Sequence, residues 1–228
     1  MAESKEIRRH DRRAIVDVAK SLFIRSLSFA VAMPFLALGC LLYMARLGGI
    51  RRDFSVCRSA LSKSSVVPTH FADLLIISED HRNRQHLGID PISIIRVLLK
   101  SCYSKGVGGA STIEQQFVRV VLNRYEKSLS RKLYEQMMAV LLVCTTPRDL
   151  IAKKYLEIAY FGTGKVGLRK YETIFACPIQ EFSVNQVIGL LARLKYPEPR
   201  NPTAMWYARL DRRCSYIQRR IREAERVQ

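Results

Sequence analysis

The chain has 228 residues, 48% of them hydrophobic, and its 38 basic and 20 acidic residues give a formal net charge of +18. That length and apolar content exclude a disordered or fibrous chain and fit one domain of ordinary size with an appendage. The cationic excess points to polyanionic partners, whether nucleic acid, anionic membrane or phosphorylated substrate.

The appendage comes first. Residues 1–25 hold seven lysines and arginines and read as a basic tail. From Ser26 to Ala45 no residue is charged, and Arg25 and Arg46 bracket the run. Roughly 20 apolar helical residues match the hydrocarbon thickness of a bilayer, so residues 26–45 are expected to form one transmembrane helix. Pro34 lies inside it, which lipid-embedded helices tolerate better than soluble ones. A buried core helix is the alternative. No small-x-small site follows, so an anchor is favoured over a cleaved signal peptide. Residues 46–65 hold five basic residues and read as a juxtamembrane linker. The small positive-inside difference places the tail in the cytoplasm and the rest on the outer face of the membrane.

Beyond the linker nearly every segment has helical period and helical punctuation, and the expected class is all-α, with one domain over residues 66–228. Phe71, Leu74, Leu75 and Ser78 fall along one side of the first helix. Asp90-Pro91 supplies a cap and an N1 proline for the next. Ser111 and Glu114 have capping-box spacing. Leu129, Leu133, Met137, Val140 and Cys144 recur at helical spacing as a core stripe. Thr146-Pro147 opens a helix expected to stop at Gly162, Ser183 and Gln186 open another, and Thr203 opens a basic last one. Cys57, Cys102, Cys144, Cys177 and Cys214 form no C-x-x-C pair, and those within apolar runs, Cys102, Cys144 and Cys177, read as small core residues.

Five stretches hold candidate chemistry, and each taken alone also fits ordinary structure. Residues 104–119 run from Lys105 through Gly106, Gly108 and Gly109 to Ser111-Thr112. No lysine follows the last glycine and no strand precedes the first, so neither a Walker loop nor a dinucleotide fingerprint is present. What survives is a helix N-terminus with free amides that favours an anion. Glu79-Asp80 end an apolar segment, where desolvation suits a carboxylate to general base work. Arg131 and Glu135 share a helix face at i,i+4 spacing. An aromatic segment leads into Gly162, and three prolines crowd residues 197–202.

Together, in this order, the five stretches resemble the motifs of the peptidoglycan glycosyltransferases of family 51 in their monofunctional, single-anchor form. The family's E-D-x-x-F-x-x-H-x-G appears as Glu79, Asp80, His86 and Gly88. Its G-G-S-T-I-T-Q-Q appears as Gly109, Ala110, Ser111, Thr112, Ile113, Glu114, Gln115 and Gln116. R-K-x-x-E is Arg131, Lys132 and Glu135; Y-L-N and F-G resemble Tyr155-Leu156 and Phe161-Gly162; P-x-x-x-N-P resembles Pro197 through Pro202. The resemblance covers about residues 70–210. The chain departs from the pattern at Asn83, Ala110, Glu114, Arg119, Lys127 and Glu157.

The resemblance implies a lysozyme-like helical domain that polymerises lipid II into glycan strands. A GlcNAc 4-hydroxyl would attack the MurNAc anomeric carbon with inversion and release of undecaprenyl diphosphate. Glu79 and Glu135 would be the catalytic carboxylates, Glu79 as base. Arg82, His86, Ser111, Thr112, Gln115, Arg119, Lys127, Arg131 and Lys132 would bind substrate, the cations around the diphosphate. Glu114 would only cap its helix. A divalent cation, Mg or Mn, is compatible, and no other cofactor or metal site is implied. Expected partners are lipid II, the growing strand, the membrane and a separate transpeptidase, since no such domain fits in the remaining residues; nucleic acid is not expected. A second reading takes the departures as marks of a non-catalytic relative that binds lipid II or glycan and scaffolds a cell-wall complex. A glycan-cleaving lysozyme relative is disfavoured, because cleavage has no diphosphate to neutralise.

Overall fold

The computed structural model describes residues 2–103 and 109–226, so Lys105, Gly106 and Gly108 of the expected anion loop lie outside the described residues, as does the side chain of Cys102. Helix α1 runs unbroken from Ala2 to Met44. The basic tail is therefore the first part of the same helix as the apolar run. Its Val18–Met44 portion is long and apolar enough to cross a membrane. One face of that portion is covered by protein: Ser28 and Ala32 are buried, and Phe35 and Leu36 pack on the core.

The segment expected to be a linker is structured. Gly48 and Gly49 take φ of 63° and 69° and turn the chain into α2 (Ile50–Leu61). Ile50, Asp53, Cys57 and Leu61, spaced three and four apart, form its buried face against the domain. Helix α3 (Thr69–Glu79) follows, with Phe71, Leu74, Leu75 and Ser78 buried as their spacing implies. Helix α4 (Pro91–Tyr103) starts at the Asp90 cap, whose carboxylate accepts from the Ser93 amide at 3.1 Å.

Helices α5 (Ile113–Val121), α6 (Leu129–Thr145) and α7 (Arg148–Ile158) pack on one another and on α3 around Phe71, Phe117, Met138, Leu142 and Leu156. The α6 stripe is buried only in part. Met137 and Val140 are inside, whereas Leu129 is 76% exposed, Leu133 45% exposed and Cys144 exposed. The first turns of α6 instead turn Arg131, Lys132 and Glu135 toward α5, so burial there follows the charged face. Among the other cysteines Cys57 is buried and Cys177 half-buried.

Helix α7 ends at Ile158, earlier than Gly162, because the chain turns into a two-stranded antiparallel hairpin, β1 (Tyr160–Gly162) and β2 (Lys165–Val166). The proline-rich segment bridges to it: the Glu198 amide donates to the Phe161 carbonyl at 2.9 Å, and Glu198 pairs with Lys165 and Arg193. Helix α8 (Lys170–Phe175) leads to α9 (Val184–Lys195), which opens with the full Ser183–Gln186 capping box. Helix α10 (Ala204–Glu225) starts at the Thr203 cap and lies on α9 and α3. The all-α class holds, with this short hairpin as its only sheet among the described residues.

Gly88, in the first motif, is closely packed. Its φ is 78°, and a Cβ there would lie 2.9 Å from the Ala139 carbonyl carbon and oxygen. Gly88→Ala is expected to lower stability by about 2–4 kcal/mol, backbone strain adding to the clash, read as a shifted unfolding midpoint in denaturant.

Candidate active site

A cleft of about 1080 Å³ opens between α3, α4, α5, α9 and α10. Glu79, the last residue of α3, lines it and is the only carboxylate among the described lining residues. Around it stand cations from four elements. Helix α10 supplies Arg209, Arg212 and Arg213, and α4 supplies Arg96 and Lys100. Arg119 of α5 and Lys195 of α9 complete the set.

Glu79 is held directly by Arg213, which donates to its carboxylate and, at 3.0 Å, to the Ser78 carbonyl. Burial pushes the Glu79 pKa above the ordinary carboxylate value, and the Arg213 charge and hydrogen bond, with Lys195, oppose that rise without cancelling it. A carboxylate of this kind takes a proton more readily than one in water.

The second carboxylate, Glu135, is 1% exposed. Arg119 forks onto it at 2.9 and 3.0 Å, Arg131 donates to Oε1, and Lys132 stands 3.9 Å from Oε2. Lys132 also donates to Ser111 Oγ at 2.8 Å and to Gln115 Oε1 at 2.7 Å. Burial lowers the Lys132 pKa to about 8, Glu135 opposing and Arg119 and Arg131 adding to the fall. Both oxygens of Glu135 are engaged by guanidinium groups, so the residues present do not fit a divalent cation at this carboxylate.

Behind the cleft lies a buried polar cluster. Asp80, His86 and Glu114 bring potential ligand atoms within 4.8 Å of one another. The space between them is already served by donors. Asn83 Nδ2 donates to Glu114 Oε1 at 2.8 Å and to Asp80 Oδ2 at 3.3 Å, and Arg148 pairs with Glu114 at 3.3 Å. His86 Nε2 lies 3.0 Å from Asp80. Burial works against the charged imidazole, but the Asp80 hydrogen bond and charge, with that of Glu114, outweigh it and raise the His86 pKa. The cluster joins α5, α7 and the turn after Glu79, with Glu114 Oε2 left buried and without a hydrogen-bond partner among the described residues.

Several expectations change in consequence. Thr112, not Ser111, caps α5, accepting from the Gln115 amide at 3.3 Å. Glu114 is not a cap; it is 1% exposed and bonded to Asn83 and Arg148. His86, Thr112 and Gln115 are buried and are not among the residues that line the cleft; Thr112 and Gln115 both donate to the Gly88 carbonyl, at 3.0 and 2.9 Å. Arg82, expected to bind substrate, pairs with Asp90 at 2.7 Å and bonds Ser93. Lys127 is exposed on the connection before α6, outside the cluster. The structure brings Glu79, Ser111 and Arg119 to the cleft, with Gly109, and sets Lys132, Arg131 and Glu135 directly behind. Sequence reasoning missed Arg213, 134 residues from Glu79 on a helix read only as basic, and no local spacing marks it. It also missed Arg148, whose only signal was its place at a helix start.

A family model described as Transglycosylase matches residues 50–222. The chain is 30% identical over 160 residues to penicillin-binding protein 1A of Aquifex aeolicus, covering 69% of this chain and 22% of that protein. It is 31% identical over 141 residues to penicillin-binding protein 1B of Haemophilus influenzae, covering 59% and 18%. It is 33% identical over 137 residues to a biosynthetic peptidoglycan transglycosylase of Shewanella denitrificans, covering 60% of each. The chain thus spans less than a quarter of the first two relatives and 60% of the third.

The contact between Asn83 and Glu114, two positions that depart from the family motifs, makes them a coupled pair. Glu114→Thr alone is expected to cost about 3–5 kcal/mol because it leaves Arg148 without its charge partner. The double variant Asn83→Phe/Glu114→Thr should cost less than the two single losses summed, by about 1–3 kcal/mol, in a double-mutant cycle of unfolding free energies.

Proposed function

The chain belongs to the transglycosylase family, and on that premise we propose that it is a membrane-anchored, inverting peptidoglycan glycosyltransferase that polymerises lipid II. The observation that carries this reading is the cleft: one desolvated carboxylate, Glu79, facing a wall of cations. The substrate arrives activated, so the reaction needs a base at the acceptor and positive charge at the leaving group, and these are the two features the cleft offers.

In the proposed step a GlcNAc 4-hydroxyl gives its proton to Glu79 as its oxygen bonds to the MurNAc anomeric carbon. The bond from that carbon to the phosphate oxygen breaks on the opposite face, and the lipid diphosphate leaves with the electron pair. Arg119, held by Glu135, stands at the cleft with Ser111 and receives the negative charge; Lys132 and Arg131 support it from behind. Arg213 keeps Glu79 oriented and ionised until the hydroxyl arrives. The apolar Val18–Met44 helix and the exposed Ile95 and Leu99 of α4, which packs beside it, support an anchored enzyme drawing a lipid-linked substrate from the outer face of the membrane. Cross-linking of the strands by a separate transpeptidase belongs to the same reading.

The test is turnover of lipid II by the detergent-solubilised full chain. Polymer is expected, and Glu79→Gln should lower kcat by about 10²–10⁴-fold, the usual contribution of a general base. Lipid II that binds without turnover, where a control polymerase works, would identify the chain as a non-catalytic relative instead.

The pH profile has a predictable shape. Glu79 works ionised, so the rate should fall as pH drops through a value above the ordinary carboxylate range. Lys132 works charged, so the rate should fall again as pH rises through about 8. Arg213→Met removes the cation opposing the burial of Glu79 and should move the acid limb upward while leaving the alkaline limb in place.

A further inference from the structure

The apolar N-terminal helix contains a serine that does not behave as helical serines usually do. A hydroxyl inside an apolar helix commonly bonds back to a carbonyl one turn earlier. Ser28 instead reaches across 59 and 61 residues of sequence, accepting from the Leu87 amide at 2.9 Å and donating to the Ile89 carbonyl at 3.2 Å. It is fully buried. Ala32 packs with Ile89 and Val140 one turn further along. At Gly39 α1 meets α6 so closely that a Cβ would lie 3.1 Å from Met137 Cγ and Leu141 Cδ1. About 16 Å of α1, from Ser28 to Gly39, is thus docked on the domain.

The two groups held by Ser28 flank Gly88. The Gly88 carbonyl receives Thr112 and Gln115, Gln115 receives Lys132, and Lys132 reaches Ser111 at the cleft. We propose that Ser28 is a positioning residue: by clamping residues 87–89 it lets the docked apolar helix set the place of Gln115, Lys132 and Ser111. The helix then presents two faces: Ser28, Ala32 and Gly39 complete the framework of the site, and the exposed Phe29, Met33 and Leu41 are left to meet a membrane. The catalytic half of this inference rests on the proposed polymerase activity; the structural half does not.

The experiment uses the full chain in detergent or nanodiscs and reads hydrogen exchange beside lipid II turnover. Ser28→Ala is expected to raise exchange about tenfold, the loss of one ordinary hydrogen bond, in segments 85–92 and 111–116, with α9 and α10 unchanged. The same variant should lower kcat about tenfold with KM within about twofold, and Ser28→Thr, which keeps the hydroxyl, should restore both. Gly39→Leu, which wedges α1 from α6 without touching Ser28, should reproduce the exchange pattern. Unchanged exchange in 111–116, a rise spread evenly into α9 and α10, or raised exchange with wild-type kcat would each overturn the proposal. If the wild-type chain itself turns over no lipid II, the polymerase reading falls, and the exchange pattern alone decides whether Ser28 positions the 111–116 segment.

Discussion

Glu135 is almost sealed from solvent, and a carboxylate in that position is tolerable only with cations upon it. Arg119 and Arg131 meet that demand, and the same arrangement recurs at three other acids of this domain: Arg213 on Glu79, Arg148 on Glu114, Arg82 on Asp90. Most of these pairs join separate elements. Glu79 ties α3 to α10, Glu114 ties α5 to α7, and Glu135 ties α6 to α5. Because neither partner can be withdrawn without leaving the other buried and unpaired, each pair fixes a helix against its neighbour. The walls of the cleft are therefore positioned by charge pairing as much as by the apolar core around Phe71 and Phe117.

What the sequence disclosed was what local rules govern. The Ser183–Gln186 box, the Thr203 cap, the Asp90-Pro91 start and the α3 face all follow from neighbours a few residues away, and the structure forms them there. The spacing of Ser111 and Glu114 obeyed the same rule and led elsewhere. Thr112 took the cap, and Glu114 found a stronger partner in Arg148, which no local pattern announces. Leu129 and Leu133 kept helical period yet stayed outside, since period says which residues share a face and not what covers it. The motifs marked Glu79, Ser111 and Arg119 of the cleft, but Arg213 meets Glu79 across 134 residues and Ser28 meets Leu87 across 59, and contacts of that separation are invisible to spacing.

The departures from the family pattern look different once their neighbours are known. Taken singly, Asn83 replaces an aromatic and Glu114 a threonine, and each reads as a loss. In the fold they bond to each other at 2.8 Å, so an apolar contact has been exchanged for a polar pair completed by Arg148. Glu157, in the place of an asparagine, receives Lys154, Ser65 and the Val66 amide and fastens the chain that follows α2. Arg119, another departure from the pattern, makes two parallel bonds to Glu135 that a single ammonium cannot make. Four of the substitutions are thus built into hydrogen-bonded structure, as expected of a site that is maintained.

Charge alone left the class of polyanion open, and its distribution narrows it. A nucleic-acid surface would spread cations along a stripe matched to many phosphates. Here, among the described residues, seven cations converge from four helices on one cleft of about 1080 Å³ around a single carboxylate. That arrangement suits a compact group of high charge density, such as a diphosphate, brought to a base. The same cleft lies beside α4, whose exposed Ile95 and Leu99 neighbour the apolar helix. A ligand that satisfies both surfaces at once has an anionic head and a long apolar tail. Neither the charge nor the hydrophobicity of the chain points to such a ligand by itself; the proposed lipid-linked substrate draws on their adjacency in the fold.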